Sequence, residues 1–197
     1  MSAEQTGVGR PAGSSGKVRI IGGAWRRRML SLPPIAEVRP TPDRVRETLF
    51  NWLAPSISGA RCLDAFAGTG ALGFEAASRG AASVVLLDTS AAVVAHLTDY
   101  CRKLDAGMVA VEHADAVSWL DRPASLPFDV IFLDPPFGSD LGEMALQAIA
   151  HHGWLTDDGM VYFETGSRSR KPALPEGWSW EREKRAGRVR YYLASRG

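Results

Sequence analysis

The tetrapeptide Asp134-Pro135-Pro136-Phe137 is the most specific chemical signal in the chain. It ends the apolar run FDVIFLD, where a buried strand over 128–134 is expected to give way to a loop. Two consecutive prolines remove two backbone donors and stiffen that loop, leaving carbonyl oxygens turned outward as acceptors. An exocyclic amine on a nucleic-acid base needs such acceptors, because its lone pair is delocalised into the ring. The Asp134 carboxylate and the Pro135 carbonyl could each accept one N–H hydrogen, favouring a pyramidal nitrogen whose lone pair points at an electrophilic methyl group. Phe137 is placed to stack on a base extruded from its helix. Catalysis of this kind is mostly positioning, since a sulfonium methyl donor brings its own leaving group.

A second constellation lies upstream in LDAFAGTGALGFEAASRG, which reads as strand, glycine loop and helix. Gly68, Gly70 and Gly73 fit G-x-G-x-x-G, and Asp88 ends the next strand twenty residues after Gly68, placed to bind a ribose diol. A pyrophosphate at the helix N-terminus would be repelled by a neighbouring acid, yet Asp64 stands four residues before Gly68. An acid there suits the cationic amino group of S-adenosylmethionine. Asp115, before Ala116 at the end of the third strand, could accept from an adenine amino group; a helix cap is its plainer reading. The expected cofactor cradle is therefore Asp64, Phe66, Ala67, Gly68, Thr69, Gly70, Asp88, Asp115, Ala116 and Asp134.

These residues need a frame. Strands are expected at 61–66, 83–88, 108–113, 128–134 and 160–164, with helices at 71–79, 91–104, 116–120 and 141–150 between them. Such alternation argues for an α/β fold with a parallel sheet covered on both faces. GWSWEREKR and RVRYYLAS around Ala186-Gly187 suggest an antiparallel hairpin closing the sheet. Before the glycine loop, VRIIGGAWRRRMLSLP reads as a hairpin turning at Gly22-Gly23, and Thr41 or Asp43 could cap a helix carrying Val45, Leu49, Trp52 and Leu53. The organisation expected is a tail at 1–16, a basic hairpin and helix extension at 17–54, and one catalytic domain at 55–197.

Composition bounds the function. With 45% hydrophobic and 23% charged residues in 197, the chain suits one globular domain. No run approaches the roughly 18 apolar residues that span a bilayer, and the N-terminus lacks the apolar core of a signal peptide. Cys62 and Cys101 lack metal-ligand spacing and read as buried free thiols in a reducing compartment, so a cytoplasmic location is expected. His96, His113, His151 and His152 form no triad or metal pattern, so no metal site is expected. The net charge of +1 conceals basic ends: residues 1–50 hold nine Lys/Arg against four Asp/Glu, residues 51–167 five against fifteen, and residues 168–197 nine against three. Basic termini around an acidic middle fit contact with a polyanion.

With these motifs, the chain resembles the bacterial 16S ribosomal RNA guanine-N2 methyltransferases of the small-subunit type-D family. RIIGGAWRRRML, RPTPDRVRETLFNWL, LDAFAGTGALGFEAASRGA, FLDPPF and GWSWEREKRAGRVRYYL carry the likeness, over residues 18–195. It implies a Rossmann-like, seven-stranded class I methyltransferase fold with a small N-terminal β-hairpin extension. It also implies S-adenosylmethionine as methyl donor and N2 of one guanine in 16S rRNA as acceptor, within an assembled or partly assembled 30S subunit. One departure follows the second strand: family members often carry a second acid two positions after the first, and here Ser90 follows Asp88-Thr89. Arg19, Trp25, Arg26, Arg27, Arg28, Arg39, Arg44 and Arg46 are the expected RNA contacts, since guanidinium groups suit phosphates and folded RNA is read through backbone and shape. For Arg44 and Arg46 the plainer alternative is a solvated helix face paired with Glu47 or Asp43.

Three other functions fit parts of the sequence. An adenine-N6 methyltransferase on DNA or RNA would use the same tetrapeptide. A non-catalytic RNA-binding assembly module would keep the fold without needing Asp134 and its prolines. A nicotinamide-dependent oxidoreductase leaves Asp64 and the proline loop unexplained. No interface signal stands out, and a monomer is expected.

Overall fold

Short apolar runs separated by amphipathic segments bury both sides of each run most readily as a sheet between helices. The computed structural model, which describes residues 16–33 and 41–196, has this form. In chain order it contains β1 (Lys17–Arg19), β2 (Met29–Ser31), α1 (Asp43–Trp52), β3 (Arg61–Asp64), α2 (Ala71–Ser78), β4 (Ser83–Asp88), α3 (Ala91–Leu104), β5 (Val109–His113), α4 (Ala116–Leu120), β6 (Phe128–Leu133), α5 (Leu141–His152), β7 (Leu155–Gly166), β8 (Trp178–Ala186) and β9 (Val189–Arg196).

The main sheet has seven strands in the order β5-β4-β3-β6-β7-β9-β8, and β9 alone runs against the others. The order reverses at β3, whose neighbours are β4 and β6. Ligands of such sheets bind outside the carboxyl ends of the strands at this switch point. Asp64 ends β3 there, and Asp134 directly follows β6.

Side chains alternate across the sheet with period two. Val130 and Phe132 of β6 face the cluster formed with α1, α2 and α3, which includes Leu49, Phe50, Phe74 and Leu97. Ile131 and Leu133 face the cluster on the other side, with Ala145, Leu146 and Ile149 of α5. Phe132 is fully buried, so truncating it to Ala is expected to cost about 3–5 kcal/mol.

Two expectations about the N-terminal extension are corrected. Gly22 and Gly23 do not make a tight hairpin turn; β1 and β2 are joined by a longer loop in which Ile20 N–H donates to Arg28 O at 2.9 Å and Arg27 takes a positive φ of 72°. A Cβ at Gly23 would lie 1.7 Å from the Ser78 carbonyl oxygen, so this glycine serves close approach to the end of α2. Ala24 N–H donates to that same carbonyl at 2.7 Å, and Trp25 N–H donates to Ser78 Oγ at 2.9 Å. Neither Thr41 nor Asp43 caps α1: Pro42 holds the cap position, no side chain satisfies the first turn, and both residues are engaged elsewhere.

The extension is not a separate body. Val18, Ile20 and Leu30 share one apolar cluster with α1, α2 and α3. Glu75 of α2, fully buried, anchors it: its carboxylate accepts Ile21 N–H at 2.7 Å and Gly22 N–H at 2.8 Å. The C-terminal hairpin forms as expected, with Ala186 opposite Val189 and Gly187 at φ 59°. No helix among the described residues is long and apolar enough to cross a membrane.

Candidate active site

The glycine loop joins β3 to α2 with Gly68 at φ 49° and Gly70 at φ 74°, conformations that disfavour any side chain. Gly73 has a different role: a Cβ there would lie 2.1 Å from Leu86 Cδ2, so its absence lets α2 lie on β4. Asp88 ties the loop to α3, because Gly68 N–H donates to its Oδ2 at 3.0 Å and Ser90 N–H to its Oδ1 at 2.8 Å. Ser90 itself caps α3, accepting from Val93 N–H. A short capping residue thus stands two positions after Asp88.

Asp64 is buried beneath the loop. Its Oδ2 accepts from Gly73 N–H at 3.0 Å, while its Oδ1 is buried without a hydrogen-bond partner among the described residues. Burial pushes its carboxyl up to about 7, and the charges of Asp134 and Asp88 add to the shift. An orphaned buried carboxylate oxygen costs roughly 1–3 kcal/mol and is well suited to receive an ammonium donor. Phe66 is half-buried in the loop, Ala67 N–H donates to Leu87 O at 2.9 Å, and Thr69 Oγ1 accepts from Ala71 N–H at 3.2 Å. Asp115 does cap α4, accepting Ser118 N–H at 2.9 Å on Oδ1, and Ala116 packs in the apolar cluster under that helix.

The proline loop starts at Asp134, half-buried, whose Oδ2 accepts from Thr41 Oγ1 at 3.0 Å. Burial raises this carboxyl to about 6, against the lowering effect of the Thr41 hydrogen bond. Pro135 is buried beside Phe163: a Cβ at Gly142 would come within 2.8 Å of Pro135 Cγ and 2.6 Å of Phe163 Cζ. Outward carbonyls are expected from both prolines, but Pro136 O already accepts from Ser139 N–H at 3.2 Å and Ser139 Oγ at 2.7 Å. The Pro135 carbonyl accepts no such bond among the described residues. Phe137 is 56% exposed.

Sequence reasoning missed two residues here. Glu164, near the end of β7, lines a cavity of 150 Å³ together with Pro135, Pro136 and Phe137. Tyr162 OH donates to Glu164 Oε2 at 2.6 Å. A single acid in the apolar strand MVYFETG was the available signal, yet strand ends often carry polar residues. Among the described residues no group of three or more His, Cys, Asp or Glu could hold a metal ion. Cys62 is buried, its thiol pushed up to about 12 by burial, whereas Cys101 is only half-buried.

The basic residues divide. Arg26, Arg27, Arg28 and Arg44 are exposed. Arg19 is also exposed and pairs with Asp43 at 3.1 Å. Arg39 lies outside the described residues. Trp25 is half-buried with its ring edge-on to Phe74 at 6.4 Å, so it packs on α2 rather than standing free. Arg46 pairs with Asp43, as its plainer alternative has it, yet it is fully buried, neither an RNA contact nor part of a solvated face. It donates to Asp43 Oδ1 at 2.6 Å, Arg19 O at 2.8 Å and Thr41 O at 3.2 Å, and lies 3.6 Å from Glu75. A guanidinium sealed from solvent in this way cannot reach a phosphate.

Comparison with known proteins gives this geometry its context. The family model described as "Conserved hypothetical protein 95" matches residues 18–195. The chain is 46% identical over 182 residues to ribosomal RNA small subunit methyltransferase D of Escherichia coli, covering 92% of this chain and 91% of that one. It is 42% identical to the Haemophilus influenzae protein of the same name, covering 91% and 94%. A solved Escherichia coli structure superposes with a TM-score of 0.86 at 45% identity, over 92% of this chain and 98% of that one. A Thermus thermophilus 16S rRNA N2 methyltransferase, solved with AdoMet and guanosine, shares the fold at a TM-score of 0.67 and 20% identity, over 92% of this chain and 50% of that one.

Proposed function

The chain belongs to the family of the ribosomal RNA small subunit methyltransferase D proteins, and from that premise we propose that it transfers a methyl group from S-adenosylmethionine to the N2 amine of a guanine in 16S rRNA. The observation that carries this reading is the loop beginning at Asp134. One carboxylate oxygen is fixed by Thr41 at 3.0 Å, Pro135 is locked in the core, and Phe137 stands 56% exposed beyond them. The Thermus thermophilus relative, which by its name acts on N2 in 16S rRNA, shares the fold.

Each residue then has a role. Asp64 would meet the methionine ammonium with its unpartnered oxygen, and Gly68 and Gly70 would let the backbone approach the cofactor closely. Asp88 would bind the ribose diol and the exposed side of Asp115 the adenine edge. Bound S-adenosylmethionine supplies an electrophilic methyl group on a sulfonium. Asp134 and the Pro135 carbonyl accept the two N–H hydrogens of the target amine, turning its lone pair out of the ring plane. Phe137 stacks on the extruded base, and the protein lowers the barrier by orientation. Arg26, Arg27 and Arg28 hold the surrounding phosphates.

The test is product identity. The protein is incubated with 30S subunits, naked 16S rRNA or duplex DNA and labelled S-adenosylmethionine, and the nucleic acid is digested to nucleosides. N2-methylguanosine from 30S subunits or 16S rRNA is expected. N6-methyladenosine as the product would overturn the guanine reading, and no methylated nucleoside at all would leave only a binding module.

A further inference from the structure

We propose that Glu164 determines which base is accepted: its carboxylate receives the ring N1–H of guanine beside the amine held by Asp134, and so excludes a base that presents an acceptor at that ring position. The proposal rests on the guanine-N2 reading above and deepens it.

Sheet register brings the two acids together. Leu133 of β6 pairs with Phe163 of β7, so Asp134 and Glu164 occupy the next position on adjacent parallel strands. Tyr162 faces Phe132 and Tyr191 on the α1 side of the sheet, and Glu164, two residues on, shares that face. The proximity shows electrically, because the Asp134 charge helps push the Glu164 carboxyl up. Each acid has one oxygen engaged by a hydroxyl of the protein: Thr41 holds Asp134 Oδ2 and Tyr162 holds Glu164 Oε2. Glu164 is 3% exposed and is one of the residues lining the cavity shared with Pro135, Pro136 and Phe137.

Tyr162 satisfies one Glu164 oxygen, and the other can still accept a donor from a base held at this edge. Guanine offers two adjacent kinds of donor, the ring N1–H and the N2 amine, which match two acceptors side by side. Adenine offers an amine beside a bare ring nitrogen, which would place a lone pair against the Glu164 carboxylate. Sites built to hydrogen-bond a substrate group discriminate strongly against analogues lacking it, because buried partners are left unpaired.

The probe is 2-aminopurine riboside, which keeps the amine of guanosine but has a bare acceptor at N1. Binding of both nucleosides to the full chain with S-adenosylhomocysteine is measured by ligand-observed NMR competition above a pH of about 8, where Glu164 is ionised. Wild type is expected to favour guanosine roughly ten- to a hundredfold, the range of one good base-edge contact. Glu164→Gln brings that ratio near one or inverts it, because the amide can donate to the bare nitrogen. Tyr162→Phe, which frees the carboxyl without touching the base, lowers the ratio part way and decides the matter if Glu164→Gln does not fold. An unchanged ratio in the variants, while wild type still yields N2-methylguanosine from rRNA, overturns the Glu164 assignment alone. Absence of N2-methylguanosine from the wild-type reaction overturns the reading beneath it.

Discussion

The Thr41 hydroxyl donates to Asp134 Oδ2 at 3.0 Å across 93 positions of sequence. A residue of the N-terminal extension thus fixes the first residue of the proline loop, so the extension is part of the candidate reaction centre as well as a candidate RNA surface. Thr41 lies one residue before the α1 cap at Pro42, and Arg46, donating to Thr41 O at 3.2 Å, holds it there.

Asp134→Ala is expected to abolish methyl transfer while S-adenosylmethionine binding, followed by calorimetry, largely persists. Thr41→Val should lower kcat roughly ten- to a hundredfold, the worth of a hydrogen bond to a charged group. Wild-type turnover in the Asp134 variant would remove the amine-positioning mechanism.

Activity should rise with pH. Asp134, raised to about 6, and Glu164, raised to about 8, both act as acceptors and must be ionised, so kcat/KM climbs as pH passes each value. Glu164→Gln is expected to remove the upper limb and keep the lower. Stability moves oppositely: a carboxyl whose folded pKa is raised stabilises the fold fully below its unfolded value, and that contribution is lost as pH rises through the folded one. Thermal melts of Glu164→Gln should therefore gain on wild type above about 8 and show little advantage in mild acid.

Glu75→Ala should be severely destabilising. It removes the acceptor for Ile21 N–H, Gly22 N–H and Arg79 Nε and leaves Arg46 short of a buried counter-charge. Breaking a buried pair in this way costs about 3–5 kcal/mol, which calorimetry should register as a Tm lower by roughly 6–20 °C.

Replacing Arg26, Arg27 and Arg28 with Ala should weaken RNA binding and flatten its dependence on log salt by about 0.9 for each phosphate that is no longer neutralised. Arg46→Met should instead lower the melting temperature, with the salt slope of whatever remains folded unchanged. Fluorescence titrations at several ionic strengths distinguish the two.

Chemistry confined to a few neighbouring residues was legible in the chain itself. The glycine loop, the proline tetrapeptide and the helices at Ala91–Leu104 and Ala116–Leu120 follow from local propensity and period, which act over a few positions. The family followed chiefly from the N-terminal motifs RIIGGAWRRRML and RPTPDRVRETLFNWL. Tertiary structure alone decided which charges were buried, because burial depends on what packs above a residue. Arg46 and Arg44 are two residues apart on one helix, yet one is sealed under the extension and the other meets solvent. Thr41 looked like a cap and became a partner of Asp134, and Glu164 looked like an ordinary strand end until the register of β6 and β7 set it beside that acid. Pairing between strands 30 residues apart is a long-range event, and no spacing along the chain encodes the face on which the two carboxyls meet.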